Sequence, residues 1–174
     1  MVFEPYVFAQ SGEKLQTQIL PMSVEDAKAT RIAAHWQTDW TSDYLAQERF
    51  EKYALKTPEG ETIALAAYEV QKTSIAVHIA YMESQPESNP TITLQKDARK
   101  YHGIGKVLIA YGIKLSIDND LRGDVTLDAK TPELAQHYEQ VFGALPLPRY
   151  DGTAPRYLIC DEAALSIFMD YLSE

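Results

Sequence analysis

The stretch KYHGIGKVLIAYGIKL, Lys100 to Leu115, decides how this chain is read. Gly103 and Gly105 stand one residue apart, just ahead of a dense apolar run. Glycine weakens a helix, so a pair at the mouth of one needs a reason. One reason is a turn whose exposed backbone N–H groups hold an anion. The other is a tight strand-to-helix connection that holds nothing. Past the glycines, Ile104, Leu108, Tyr111 and Leu115 make one helical stripe, and Val107, Ile109, Ile113 and Ile117 cover much of the remainder. A helix apolar on most sides is a buried one. Asp118, Asn119, Asp120 and Gly123 stop it.

Two phosphate motifs fail on these residues. A Walker loop needs glycine five residues before its Gly-Lys pair and Ser or Thr after it. Gly105-Lys106 has Lys100 and Val107 in those places. The dinucleotide fingerprint needs a third glycine where Leu108 stands, inside a parallel βαβ unit.

Downstream, DVTLDAK reads as a strand. Thr131-Pro132-Glu133 is a helix start, with a hydroxyl cap, proline at the first position and an acid in the first turn. Leu134, Tyr138 and Val141 form that helix's stripe and Gly143 closes it. A Pro-rich loop, LPLPRYDGTAP, leads to the strand RYLIC. Asp161 then caps a last helix with Leu165, Phe168, Met169 and Leu172 inward.

Upstream, residues 1–14 show no period and read as an extended lead-in. LQTQIL alternates as a half-buried strand. Ser23 and Asp26 read as a capping box, opening a helix whose spacing continues through Ile32, Ala33, Trp36 and Trp40. TSDYLAQ reads as a second short helix. RFEKYALKT, TIALAAYEV and SIAVHIAYME are three successive strands, turned at Glu59-Gly60 and at Gln71 to Ser74. The polar stretch SQPESNPTITLQKDARK is a loop, long for a compact domain and so expected to be functional or mobile.

The bulk numbers narrow the classes. The chain has 174 residues, 45% of them hydrophobic and 24% charged, ordinary for one soluble domain. Its 16 Lys and Arg against 25 Asp and Glu leave a net charge of −9, which argues against a nucleic-acid surface. Cys160 is the single cysteine, so no internal disulfide or cysteine metal cluster forms. His35, His102 and His137 lack metal-binding spacing, and no metal is expected. With no signal-like N-terminus and no membrane-length apolar run, the chain reads as cytoplasmic, without a membrane partner.

KYHGIG resembles the Q/R-x-x-G-x-G/A motif of the GNAT N-acetyltransferases, with Lys100 in place of the usual Gln or Arg. GKVLIAYGIKLSID is similar to the family's long buried helix and GDVTLDAK to its fifth strand. TPELAQHYEQVFGA resembles its tyrosine helix, with Tyr138 in place. The resemblance covers most of the chain and is strongest from Tyr81 to Ala144.

It implies one mixed α/β domain over residues 1–174, with the GNAT acyl-CoA N-acyltransferase fold. That is a central, mostly antiparallel sheet with flanking helices in the order β-α-α-β-β-β-α-β-α-β-α. It implies acetyl-CoA as co-substrate, lying between the fourth and fifth strands, with its pyrophosphate on Gly103 to Lys106. Lys100, His102, Gly103, Ile104, Gly105 and Lys106 are its expected contacts; Thr131 stands where the family often has Asn, or is simply the helix cap. Tyr138 matches the family's acid, or hydrogen-bond donor, toward the coenzyme sulfur. The implied reaction is direct transfer of an acetyl group to a primary amine of a small-molecule or peptide acceptor.

Glu83, ending the fourth strand, is the candidate base, or else a solvated loop acid. Asp128 is a candidate for a cationic acceptor and Trp40, with Trp36, for the acceptor pocket, against readings as a surface acid and core aromatics. His78 reads as a satisfied buried histidine and Cys160 as inert packing. A homodimer and a non-catalytic acyl-CoA-binding module both stay open.

Overall fold

The structure, a computed structural model, describes residues 1–33 and 35–174. Its first half holds β1 (Val2–Phe3), β2 (Tyr6–Ala9), β3 (Lys14–Gln16), β4 (Gln18–Pro21), α1 (Val24–Ile32), β5 (Phe50–Lys56), β6 (Thr62–Gln71) and β7 (Ala76–Ser84). Then follow β8 (Tyr101–His102), α2 (Ile104–Asp118), β9 (Val125–Asp128), α3 (Pro132–Phe142), β10 (Leu145–Leu147), β11 (Arg156–Ile159), α4 (Asp161–Met169) and β12 (Leu172–Ser173).

Short-range chemistry sets several of these ends where the sequence predicts them. The Ser23 hydroxyl accepts Asp26 N–H at 3.0 Å, and the Asp26 carboxylate accepts Ser23 N–H at 2.9 Å, a closed capping box. Thr131 Oγ1 accepts Leu134 N–H at 3.1 Å, and Gly143 ends α3 in the left-handed region at φ 65°. Gly60 turns the β5–β6 hairpin at φ 89°.

Other elements differ from expectation. The second short helix does not form, and residues 41–49 are a chain of turns. Asp39 Oδ1 accepts both the N–H and the hydroxyl of Thr41, at 3.0 and 2.6 Å, and Lys52 Nζ takes the Leu45 carbonyl at 2.5 Å. Such local side-chain bonds compete with helix. The N-terminal lead-in is instead a hairpin of β2 and β3, with Phe8 paired to His102 on β8. The last helix stops at Met169, leaving Leu165 and Met169 exposed while Ala164, Ile167 and Tyr171 are buried. On α3 the buried pair is Tyr138 and Phe142, and Val141 is exposed.

The largest sheet has the strand order β10-β11-β9-β7-β6-β5-β4. β7 and β9 run parallel, while β4–β5, β9–β11 and β10–β11 are antiparallel. The fold is therefore mixed α/β with a mostly antiparallel sheet, as the sequence predicts.

The chain divides into two compact units, the first being Met1–Ala67, Tyr81–Leu108 and Tyr171–Glu174, the second Tyr68–Ala80 and Ile109–Asp170. The first unit buries Val7, Trp40, Leu45, Leu55, Ile63 and Leu65. The second buries Tyr68, Val77, Ile109, Ile113, Val125 and Ile159. Within it Gly112 lets α2 lie close: a Cβ there would sit 3.1 Å from the Tyr68 ring and 3.3 Å from Ile79.

Candidate functional site

In the first unit the glycine bend joins β8 to α2. Gly103 holds φ 84°, a conformation that L side chains resist. The first helical bond, Val107 N–H to Gly103 O at 3.2 Å, leaves the N–H groups of Ile104 and Gly105 ahead of the hydrogen-bonded ladder. At Gly105 an added Cβ would meet nothing within 4 Å. Backbone donors at a helix start with open space beside them suit a diphosphate, so these residues fit the pyrophosphate of a coenzyme. Ile104 is buried, whereas His102 and Lys106 are half-buried.

Lys100 faces elsewhere. Its ammonium lies 2.8 Å from Glu61 Oε1, which also accepts Gln85 Nε2 at 3.0 Å, while Tyr101 donates to Oε2 at 3.2 Å. The hydrogen bond to Glu61 raises the Lys100 pKa. For Glu61 burial pushes upward, but the Lys100 and Gln85 donors outweigh it and hold the carboxyl low.

Glu83, near the end of β7, is buried and holds three donors. Its Oε2 accepts Gln37 N–H at 2.5 Å, and Oε1 accepts Thr38 N–H at 3.2 Å and the Trp40 indole at 2.9 Å. Trp40 is only 2% exposed and meets Tyr81 edge-on, with centroids 6.5 Å apart.

In the second unit α3 carries Tyr138, whose ring packs edge-on against Tyr157 at 6.2 Å. Among the described residues its hydroxyl has no hydrogen-bond partner. Burial, with a further push from the Asp128 charge, raises its pKa to about 12, so the phenol keeps its proton at neutral pH. Thr131 uses its hydroxyl as the α3 cap.

Asp128, at the end of β9, is gripped by arginines. Arg156 donates to both its oxygens at 2.8 and 3.2 Å, and Arg149 Nη1 lies 3.1 Å from Oδ1. Burial would raise the Asp128 pKa, but the Arg156 hydrogen bonds and charge bring it below the ordinary value. His78 is buried, with Nδ1 2.8 Å from Thr126 Oγ1. Desolvation first and the Arg156 charge second lower its pKa, so it stays neutral, as expected of a satisfied core histidine. Cys160, not the expected Asp161, holds the N-cap position of α4, because Asp161 is already the first helical residue, and the Cys160 side chain makes no capping hydrogen bond. Burial and Asp161 push the Cys160 thiol upward, away from the reactive thiolate.

No protein-family model matches the sequence, and no curated protein matches it. Solved structures do. An acetyltransferase of the GNAT family from Listeria monocytogenes matches with a TM-score of 0.56 at 15% identity, covering 88% of this chain and 98% of that one. The chain has the GNAT acetyltransferase fold. Spermidine N-acetyltransferase from Vibrio cholerae, in complex with CoA and spermine, also has the GNAT fold; it matches with a TM-score of 0.56 at 10% identity over 86% of this chain and 98% of that one. A GNAT-family acetyltransferase from Staphylococcus aureus matches at 0.54 and 10% identity over 82% and 97%.

Sequence reasoning missed Glu61, Gln37, Thr38, Arg149 and Arg156. Arg156 meets Asp128 through the β9–β11 register, a long-range pairing with no local signature. Among the described residues no group of three or more metal-ligating side chains gathers, and no helix is long and apolar enough to cross a membrane.

Proposed function

We propose that residues 1–174 act as a single N-acetyltransferase domain that uses acetyl-CoA to acetylate a primary amine by direct attack. The observation that carries this reading is the Tyr138 hydroxyl, protonated, anchored by a buried ring and without a partner among the described residues.

In this reading Gly103, Ile104 and Gly105 bind the coenzyme diphosphate through backbone N–H groups, with His102 beside them, and Lys106 adds positive charge nearby. Lys100 contributes less, because Glu61 meets its charge. Tyr138 donates a hydrogen bond to the departing thiolate. A phenol at about 12 does not give its proton outright to a thiolate whose acid lies near ~8.5, so Tyr138 steadies the charge while the final proton comes from water.

The attacking amine must first lose a proton, a cost of roughly 4–5 kcal/mol at neutral pH for an amine with a pKa near ~10.4. Glu83 is the proposed base. A carboxylate offers about four acceptor positions; three are filled by Gln37, Thr38 and Trp40, and the fourth takes a water that carries the proton. Trp40 then supports Glu83 from behind instead of touching the acceptor. Asp128 orders Arg149 and Arg156, since its charge is already met. The acceptor is a small amine, as in the spermidine N-acetyltransferase of like fold, with its identity set by experiment.

The test is a panel of primary amines with acetyl-CoA, reading free thiol. Amine-dependent thiol release is expected. Coenzyme binding without thiol release would give the non-catalytic acyl-CoA-binding module, and absence of both would end the reading.

A further inference from the structure

A depression of about 450 Å³ opens on the second unit, where the β6–β7 turn, the α2–β9 connection and the β10–β11 pair meet. Its size is within the range of small-molecule sites. Leu147 and Leu158 supply apolar wall, and Ile75, more than half exposed, stands at the rim.

Much of the polar lining has no hydrogen-bond partner in the protein among the described residues. The side chains of Gln71, Ser74, Arg122 and Asp124 line the depression and make no hydrogen bond or ion pair among the described residues. By contrast, Arg156 and Thr126, which also line it, are engaged by Asp128 and His78. Two lining residues hold left-handed backbone, Ile75 at φ 55° and Arg122 at φ 64°. For a β-branched residue that is a genuine outlier, and strain of this kind concentrates at functional sites.

The charges choose among ligands. Asp124 is half-buried; burial first and the nearby Asp161 second make its ionised form costly, and the Arg122 charge offsets this only in part, so a further cation beside it would be favoured. Arg122 is exposed and makes no hydrogen bond or close ion pair among the described residues, though its charge already reaches Asp124. A phosphate would sit against Asp124, and a simple amine would sit against Arg122 and Arg156. A molecule carrying both charges a short distance apart satisfies both residues.

We propose that this depression binds a small zwitterion of the amino-acid class. Its carboxylate lies toward Arg122, its ammonium toward Asp124, and its apolar side chain against Leu147 and Leu158. Gln71 and Ser74 supply further hydrogen bonds. This site is separate from the acetyl-transfer reading and does not depend on it.

Calorimetric titration tests it, with L-leucine, L-phenylalanine, N-acetyl-L-leucine, L-leucinamide and inorganic phosphate as probes. The proteins are the wild type, Arg122→Gln and Asp124→Asn, each first checked for unchanged melting temperature. At least one free amino acid is expected to bind the wild type, and each substitution is expected to weaken it about tenfold or more, as for loss of one charged hydrogen bond. The two blocked leucine derivatives and phosphate are expected to bind at least about tenfold more weakly than the free amino acid. The proposal is overturned if neither amino acid binds, if binding survives both substitutions, or if phosphate or a blocked derivative binds as well.

Discussion

The buried carboxylate of Glu83 accepts the indole N–H of Trp40 at 2.9 Å. The same carboxylate receives the backbone N–H groups of Gln37 and Thr38. One side chain near the end of β7 thus fixes a segment that has no regular structure of its own. Glu83→Ala would leave three donors without an acceptor. The expected loss is roughly 3–5 kcal/mol, read as a lower denaturant midpoint, with a red shift in tryptophan emission. Glu83→Gln keeps one oxygen and should lose less. An unchanged midpoint for Glu83→Ala would show that the clamp does not hold the segment.

Glycines in α2 should separate packing from binding. Gly112→Ala places a methyl 3.1 Å from the buried Tyr68 ring. Overpacking of about 1–3 kcal/mol exceeds the helix-propensity gain of about 1 kcal/mol, so the melting temperature should fall. Gly105→Ala meets nothing within 4 Å, so its melting temperature should hold or rise slightly. A stabilised Gly112→Ala would contradict the close approach of α2 to Tyr68.

Asp128 should make the protein acid-sensitive. Its folded pKa lies below the ordinary 3.8, so its contribution is fully present above that value and is lost as pH falls through the lower folded value. Asp128→Asn should therefore be less stable than wild type at pH 7. The gap between the two should narrow as pH is lowered below about 4. Denaturation midpoints from pH 7 to pH 2 measure this, and a pH-independent gap would sink the assignment.

Where the sequence spoke clearly, the chemistry was local. Ser23 with Asp26, Thr131 before Pro132, and Gly60 in its hairpin each settle their geometry within four residues. The second helix failed because Asp39, Thr41 and Ser42 carry short polar side chains that bond nearby backbone and hydroxyl groups. A periodicity count does not register that competition. The candidate site was legible as residue types but not as partnerships. Glu83 meets Trp40 across 43 positions, and Lys100 meets Glu61 across 39. Only tertiary folding decides that Lys100 turns toward the β5–β6 hairpin. The helical stripes of α3 and α4 were each misjudged in part, because a short helix leaves its burial to its neighbours.

Tyr138→Phe isolates the proposed hydrogen bond to the leaving thiolate. The ring and its contact with Tyr157 stay, so folding should be unaffected. kcat is expected to fall about 10–100-fold, with the KM for acetyl-CoA within about twofold. Unchanged turnover would remove Tyr138 from the chemistry.

The central claim is that backbone donors at the Gly103–Lys106 bend hold an acyl-coenzyme diphosphate. Titrating acetyl-CoA into the wild type and into Gly105→Glu by calorimetry tests it most directly. A glutamate there enters open space and suits a helix start, so the fold should persist while its charge repels the diphosphate. Saturable binding by the wild type and at least about tenfold weaker binding by the variant, at equal melting temperature, is the predicted result. No binding by the wild type, or equal binding by both proteins, would contradict the account.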